Sequence, residues 1–257
     1  MNRQWTPWRA VELGGKQKGC KSSILVVEKP GSRAQNSCVM HEPIRIGPIT
    51  LEGRAICLEP LTHAHHGGLC EVGLDPDLWK WIPYFVNTPA EMAAYVDKAL
   101  EEQACGASVP FAIIEKASRR VIGSTRYMNI EREHRRVEIG STWIGGAWQR
   151  SAVNTEAKYL LLGHAFETVG CLRVELKTDS LNDKSRAAIL RIGAKEEGIF
   201  RNHMVMSTGR IRHSVYYSIV EAEWPGVRAR LERKMAAHPG AVPSKNGDSS
   251  RPAKPAA

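Results

Sequence analysis

The stretch with the most chemical potential runs Ala147-Trp148-Gln149-Arg150-Ser151-Ala152-Val153-Asn154-Thr155-Glu156. Small and polar residues there precede a helical apolar pattern. The first N–H groups of a helix lack intrahelical acceptors and carry a partial positive charge. Together they make an anion site suited to a pyrophosphate. Arg150 adds a full charge, and Ser151, Asn154 and Thr155 add neutral donors. The same residues also read as an ordinary capped helix with Asn154 or Thr155 as the cap, and on spacing alone that plainer reading weighs more. Other tempting groups carry less. His63, His65 and His66 lack a matching Cys, Asp or Glu spacing, so no metal site is expected and they read as exposed helix residues. The six cysteines form no C-x-x-C pair and read as buried or free thiols of a reducing cytoplasm. Cys171 has no adjacent His, so no covalent nucleophile is indicated.

The elements that must position this loop follow from periodicity. Ile49–Leu51 and Ala55–Pro60 read as an opening strand pair. Thr62 to about Gly73 reads as a helix, and Asp75–Trp81 as a short helical turn. Thr88-Pro89-Ala90-Glu91 has the make-up of a capping box with Pro in the first turn, opening a helix to about Ala104. Phe111–Glu115, Val121–Ile130 and Val137–Ile144 then form an antiparallel meander by their short connections. Val153–Val169 is a long helix with Ala157, Leu160, Leu161, Ala165 and Val169 on one face. Leu172–Leu176 is a strand. Asn182–Ile192 is a helix that buries Ala188, Ile189 and Ile192 and ends at Gly193. Lys195–Phe200 and Ser214–Ile219 pair as a hairpin, and Val220–Met235 closes as a charged helix. The order predicts an α/β (α+β) fold, a mixed and mostly antiparallel sheet with helices on both faces.

The net charge of +9 is unevenly spread. Residues 1–39 hold seven basic and two acidic side chains, residues 236–257 three and one, and residues 40–235 twenty-six and twenty-four. A basic chain invites nucleic acid as a partner, but most of this excess sits at the two ends. The tail from Ala236 is rich in Pro, Ala, Ser and Gly without apolar period, and is expected to be disordered. Residues 1–39 read as a poorly structured basic extension with one short candidate strand, Ile24–Val27. Met40 precedes the first well-patterned stretch and marks a start or a domain boundary, leaving 40–235 as the domain. No run approaches the ~18 apolar residues of a membrane span, and the first 30 residues lack the apolar core of a signal peptide. No membrane partner is expected.

Several strings together resemble the GNAT superfamily of N-acetyltransferases, in the branch of the ribosomal-protein acetyltransferases RimJ and RimL. They are Leu51-Glu52-Gly53, Leu58-Glu59-Pro60-Leu61, Val121-Ile122-Gly123-Ser124-Thr125, Glu138-Ile139-Gly140, Gln149 to Lys158, Asn182 with Ser185, and Arg191-Ile192-Gly193-Ala194. The resemblance spans about Ile49 to Met235. It implies acetyl-CoA, held where two parallel strands splay apart, with no metal. The pyrophosphate loop of the family reads Gln/Arg-x-x-Gly-x-Gly/Ala. Gln149 and Arg150 match its opening, Ala152 stands at the first Gly, and Asn154 at the second small position. The resemblance thus assigns Gln149, Arg150, Ser151, Ala152, Val153, Asn154 and Thr155 to the cofactor. It places a backbone N–H near Thr142, Trp143 or Ile144 on the thioester carbonyl and Asn182 on the pantetheine arm. Glu138 is the matched base, acting directly or through water, unless it is simply paired with Arg136 or Arg126. Many members protonate the leaving thiolate with a Tyr, but Ile189 holds that position and Ser185 is the alternative donor.

An acceptor amine must be unprotonated to attack, which requires a base near neutral pH for a lysine or an α-amine. Trp81, Tyr84 and Tyr127, with Trp79 and Trp143, could line the acceptor cleft or equally pack a core or lid. The expected activity is direct acetyl transfer to a primary amine in a ternary complex, the acceptor being a protein N-terminus such as that of a ribosomal protein, or a small molecule. Two other readings stand beside it: a ribosome- or RNA-associated module using the basic ends, and a fold that binds CoA without turnover. A cytoplasmic monomer or homodimer with no specific nucleic-acid partner is expected.

Overall fold

The computed structural model describes residues 42–237. The expectations for the basic extension, for Ile24–Val27 and for nearly all of the tail lie outside these residues. Eight strands form one sheet in the order β1-β2-β3-β4-β5-β6-β8-β7. They are β1 Leu51–Glu52, β2 Ile56–Pro60, β3 Ser108–Glu115, β4 Val121–Glu131, β5 Arg136–Ile144, β6 Arg173–Asp179, β7 Lys195–Val205 and β8 Ile211–Val220. The opening strand is shorter than expected and shifted to Leu51–Glu52, where two residues pair with Leu58 and Cys57.

Helices cover both faces. On one side lie α1 (His66–Gly73) and α2 (Pro89–Ala104), closing a core around Trp79, Met92, Tyr95 and Trp143. On the other lie α3 (Val153–Gly163), α4 (Asp183–Ile192) and α5 (Trp224–Ala236), over Phe111, Tyr127, Leu161 and Tyr217. The capping box forms as the sequence implies: the Glu91 amide donates to Thr88 Oγ1, and the Glu91 carboxylate accepts from the Thr88 amide. Gly193 ends α4 in the left-handed region, at φ 108°. The long helix begins where expected, but its last six residues, His164–Val169, widen into a π-helical segment.

One pairing in the sheet is parallel. β5 and β6 run side by side for three residue pairs, Arg136–Glu138 against Arg173–Glu175. Beyond Glu138 they separate. The cause lies in β5, whose register against β4 slips between Gly140 and Trp143. Ser141 takes φ +46° there, which gives β5 a bulge and a bend. The edge of β5 from Ile139 to Ile144 is therefore left without a strand partner on the β6 side.

Gly123 holds the other edge of this segment. A Cβ there would collide with the carbonyl oxygen of Trp143 and lie 3.0 Å from Ile144 Cα. Both are backbone atoms of the bulged strand, so relief requires β4 and β5 to part. Gly123→Ala is expected to cost about 1–3 kcal/mol, measured by urea unfolding.

Candidate functional site

The open edge of β5 leads to the start of α3. The Gly145 amide bonds to Ile122 O on β4. Successive strand amides face opposite edges, so the N–H groups of Ile144 and Thr142 face the opening and that of Trp143 faces β4. Two of the three expected carbonyl-binding positions thus remain available. Gln149 crosses the upper end of the opening: its Nε2 donates to Ile144 O at 3.0 Å, and its Oε1 accepts from Lys184 of α4. That contact brings the first turn of α4, with Asn182 and Ser185, beside the loop.

The loop itself differs in detail from expectation. The cap of α3 is Ala152, and no side chain caps it, whereas Asn154 and Thr155 lie within the helix. The unusual backbone falls on Arg150, at φ +62°, and Ala152 sits at φ −69°. Alanine therefore fits at that turn without the freedom of glycine. Ser151 is committed locally, its hydroxyl donating to Trp148 O at 2.6 Å and accepting from the Val153 amide at 3.3 Å. Thr155 is buried, while Arg150 is exposed. What faces outward is the Arg150 guanidinium and the amides of Asn154 and Thr155, which the helix leaves without intrahelical acceptors. That arrangement suits a diphosphate. Asn182 caps α4, its Oδ1 accepting from the Ser185 amide at 3.0 Å.

Glu138 stands where β5 and β6 begin to part. It is 1% exposed. Its partners are not the expected arginines: Arg126 pairs with Glu102, and Arg136 with Glu175 and Glu131. Instead Glu138 Oε2 accepts from Lys177 Nζ at 2.9 Å and Asn129 Nδ2 at 2.7 Å. The register explains this. Parallel pairing sets Glu138 against Glu175, and the alternation of β6 carries Lys177 along the same face as Glu175. Lys177 in turn lies 5.7 Å from the Tyr216 ring of β8.

The aromatic expectations divide. Tyr127 does not line the acceptor side. It is fully buried in the α3-side core, with its hydroxyl donating to Leu161 O at 2.6 Å. Trp79 and Trp143 are core residues of the opposite face. Tyr84 and Trp81 are half-buried. The Tyr84 hydroxyl lies 3.5 Å from Ser141 Oγ at the bulge, and burial with the neighbouring Tyr95 pushes its phenol up to about 12. Trp81 is tied to β8 by Arg212, which donates to its carbonyl oxygen at 3.1 Å. The segment carrying both residues therefore spans from the bulge of β5 to β8. His63 is exposed and meets Asp97, while His65 and His66 are half-buried.

Lys158 was not singled out by sequence reasoning. It lies on α3 beside Ala157, is 7% exposed, and donates from Nζ to Thr142 Oγ1 at 2.8 Å. Thr142 Oγ1 also meets Thr125 Oγ1 at 2.8 Å. Burial pulls the Lys158 ammonium down to about 7 against an opposing pull from Glu138. An unfolded lysine keeps its proton to about pH 10.4. Between about 7 and 10.4 the unfolded chain thus binds more protons, and stability from this group rises with pH. Below that window its burial penalty is fully felt. Lys158→Met is expected to stabilise the fold by about 2–4 kcal/mol near pH ~6, with the gain fading towards pH ~10. Urea unfolding at both pH values measures it.

Residues 55–195 match the family described as the acetyltransferase (GNAT) domain. The chain belongs to the GNAT acetyltransferase family. Among solved structures, a "putative acetyltransferase" from T. thermophilus is 34% identical, with a TM-score of 0.69, covering 75% of this chain and 100% of that one. Mycobacterium smegmatis RimJ, solved in complex with CoA-disulfide, shares the fold at 21% identity and a TM-score of 0.65, covering 74% and 96%. The Bacillus subtilis protein named "Putative ribosomal N-acetyltransferase YdaF" is 36% identical over 98 residues, 38% of this chain and 52% of its own. The chain thus spans about half the length of that curated relative. Among the described residues no helix is long and apolar enough to cross a membrane.

Proposed function

We propose that this GNAT chain transfers an acetyl group from acetyl-CoA directly to a primary amine, in a ternary complex. The observation that carries the reading is the early end of the β5–β6 pairing, which leaves the edge from Ile139 to Ile144 open next to the start of α3. An extended pantetheine arm fits such an edge as an added strand. Arg150 and the first amides of α3 would hold the diphosphate, and Asn182 would meet the arm. The N–H groups of Thr142 and Ile144 would polarise the thioester carbonyl. Glu138 would take the proton from the amine, directly or through water. Bound acetyl-CoA supplies the activated acyl group. The relative named "Putative ribosomal N-acetyltransferase YdaF" supports a protein acceptor over a small amine.

The test has two parts. Calorimetry with CoA should show binding to the folded chain. An acceptor screen with acetyl-CoA, read by mass spectrometry, should then give a product heavier by one acetyl group. Absence of CoA binding overturns the reading.

A further inference from the structure

We propose that Lys158 stabilises and then protonates the departing thiolate of CoA, with Thr142 tethering its ammonium at the open edge of β5. The inference rests on the acetyl-CoA reading above. It begins from a cost. An ammonium offers three donors, and Lys158 is buried with one hydrogen-bond acceptor shown, the neutral hydroxyl of Thr142. Neighbouring buried charges are better matched. Glu138 meets Lys177, Asp179 meets Arg210, and Glu156 accepts from the amides of Arg54 and Ala55. Burying a charge with so little compensation is unfavourable, and such groups cluster at functional sites.

Its place supplies the function. Thr142 follows the bulge, on the segment that β6 leaves unpaired. The same helix presents the diphosphate site at its first turn and Lys158 in its second. A ligand running from that first turn along the open edge of β5 passes the Thr142–Lys158 pair. The groups about Lys158 are the hydroxyls of Thr142 and Thr125, and the carboxylate that acts on it is Glu138 of β5. A nearby thiolate would supply the missing negative charge.

The chemistry also needs a donor. Ile189 is apolar and buried, so it has no proton to give. A serine hydroxyl such as that of Ser185 is a much weaker acid than a thiol of pKa ~8.5, and can only relay. An ammonium that titrates near neutral gives its proton to a thiolate readily. In the balanced step, the acceptor ammonium first gives one proton through Glu138 to solvent, leaving a free amine. The amine lone pair then forms the C–N bond, the C–S electron pair goes to sulfur, and Lys158 gives one proton to that sulfur. The nitrogen gives its second proton to the emptied Glu138, and exchange of that proton with Lys158 restores both groups.

The test uses bound CoA itself and needs no acceptor. The full chain is saturated with CoA, and its thiol is titrated by ultraviolet difference absorbance of the thiolate. In the parent protein the bound thiol is expected to titrate at least about one unit below its free value of ~8.5, a tenfold shift in the thiolate-to-thiol ratio. Lys158→Met should return it to the free value or above, and Lys158→Arg, which keeps the charge, should retain the depression. Lys158→Gln, which can still bond Thr142, serves if the Met variant does not fold. An undepressed thiol in the parent protein, or equal titration in parent and neutral variants, overturns the proposal while leaving the acetyl-CoA reading intact. Failure of the parent protein to bind CoA by calorimetry overturns both.

Discussion

Glu138→Gln is expected to cut turnover by about 10²–10⁴-fold while leaving CoA affinity unchanged. The reason is the proton on the acceptor. An amine of pKa ~8–10 is mostly ammonium at neutral pH and has no lone pair to use. Glu138 is the buried carboxylate at the point where β5 and β6 part, and Asn129 and Lys177 fix its orientation. Glutamine keeps the shape and an acceptor oxygen for those partners but cannot take a proton. Without the base, the rate follows the fraction of free amine in solution, so the activity profile should move to higher pH, towards the acceptor's own pKa. The substitution also leaves the Lys177 ammonium without its carboxylate, which destabilises the fold. Activity is therefore compared at saturating CoA on protein shown to be folded. A pH–rate profile identical to that of the parent protein would remove Glu138 from the mechanism.

Ala152→Asp is expected to weaken CoA binding by at least about tenfold while raising or preserving thermal stability. The two effects have one cause and opposite signs. Ala152 caps α3 without a side-chain hydrogen bond. A carboxylate at that position interacts favourably with the helix N-terminus, by about 0.3–1 kcal/mol. It also occupies the positive potential of the proposed diphosphate site, and would repel that group. Few substitutions separate binding from folding so cleanly. Calorimetric titration with CoA, beside a thermal melt, reads both. Undiminished affinity would place the diphosphate elsewhere on the molecule.

Much of the architecture was legible in the order of residues. The capping box at Thr88 and Glu91 and the left-handed stop at Gly193 depend on interactions within a few positions of the chain, and the three-strand meander on short connections between successive strands. Such interactions leave a local pattern. The partner of Glu138 left none. Lys177 is thirty-nine residues away, and it reaches Glu138 through a parallel register set by packing, so proximity in sequence pointed wrongly to Arg136. Tyr127 misled for a similar reason. Its strand alternates between two buried faces, and an aromatic on either looks the same in sequence. Lys158 had a faint signal, a lysine beside the apolar Ala157 and Leu161 on a helix that is otherwise easily read. Only its burial against Thr142 makes it chemically distinct.

The sequence by itself determined the element types and the loop that can bind an anion, because these follow from local periodicity and helix-terminus chemistry, while the candidate base came only from the family resemblance. The tertiary structure decided which edge is open, which amides face it, and which charges are buried together. Those depend on where two parallel strands stop pairing. A bulge at Ser141 bends β5 away at that point, and which strand lies beside it is not a property of any short stretch of chain.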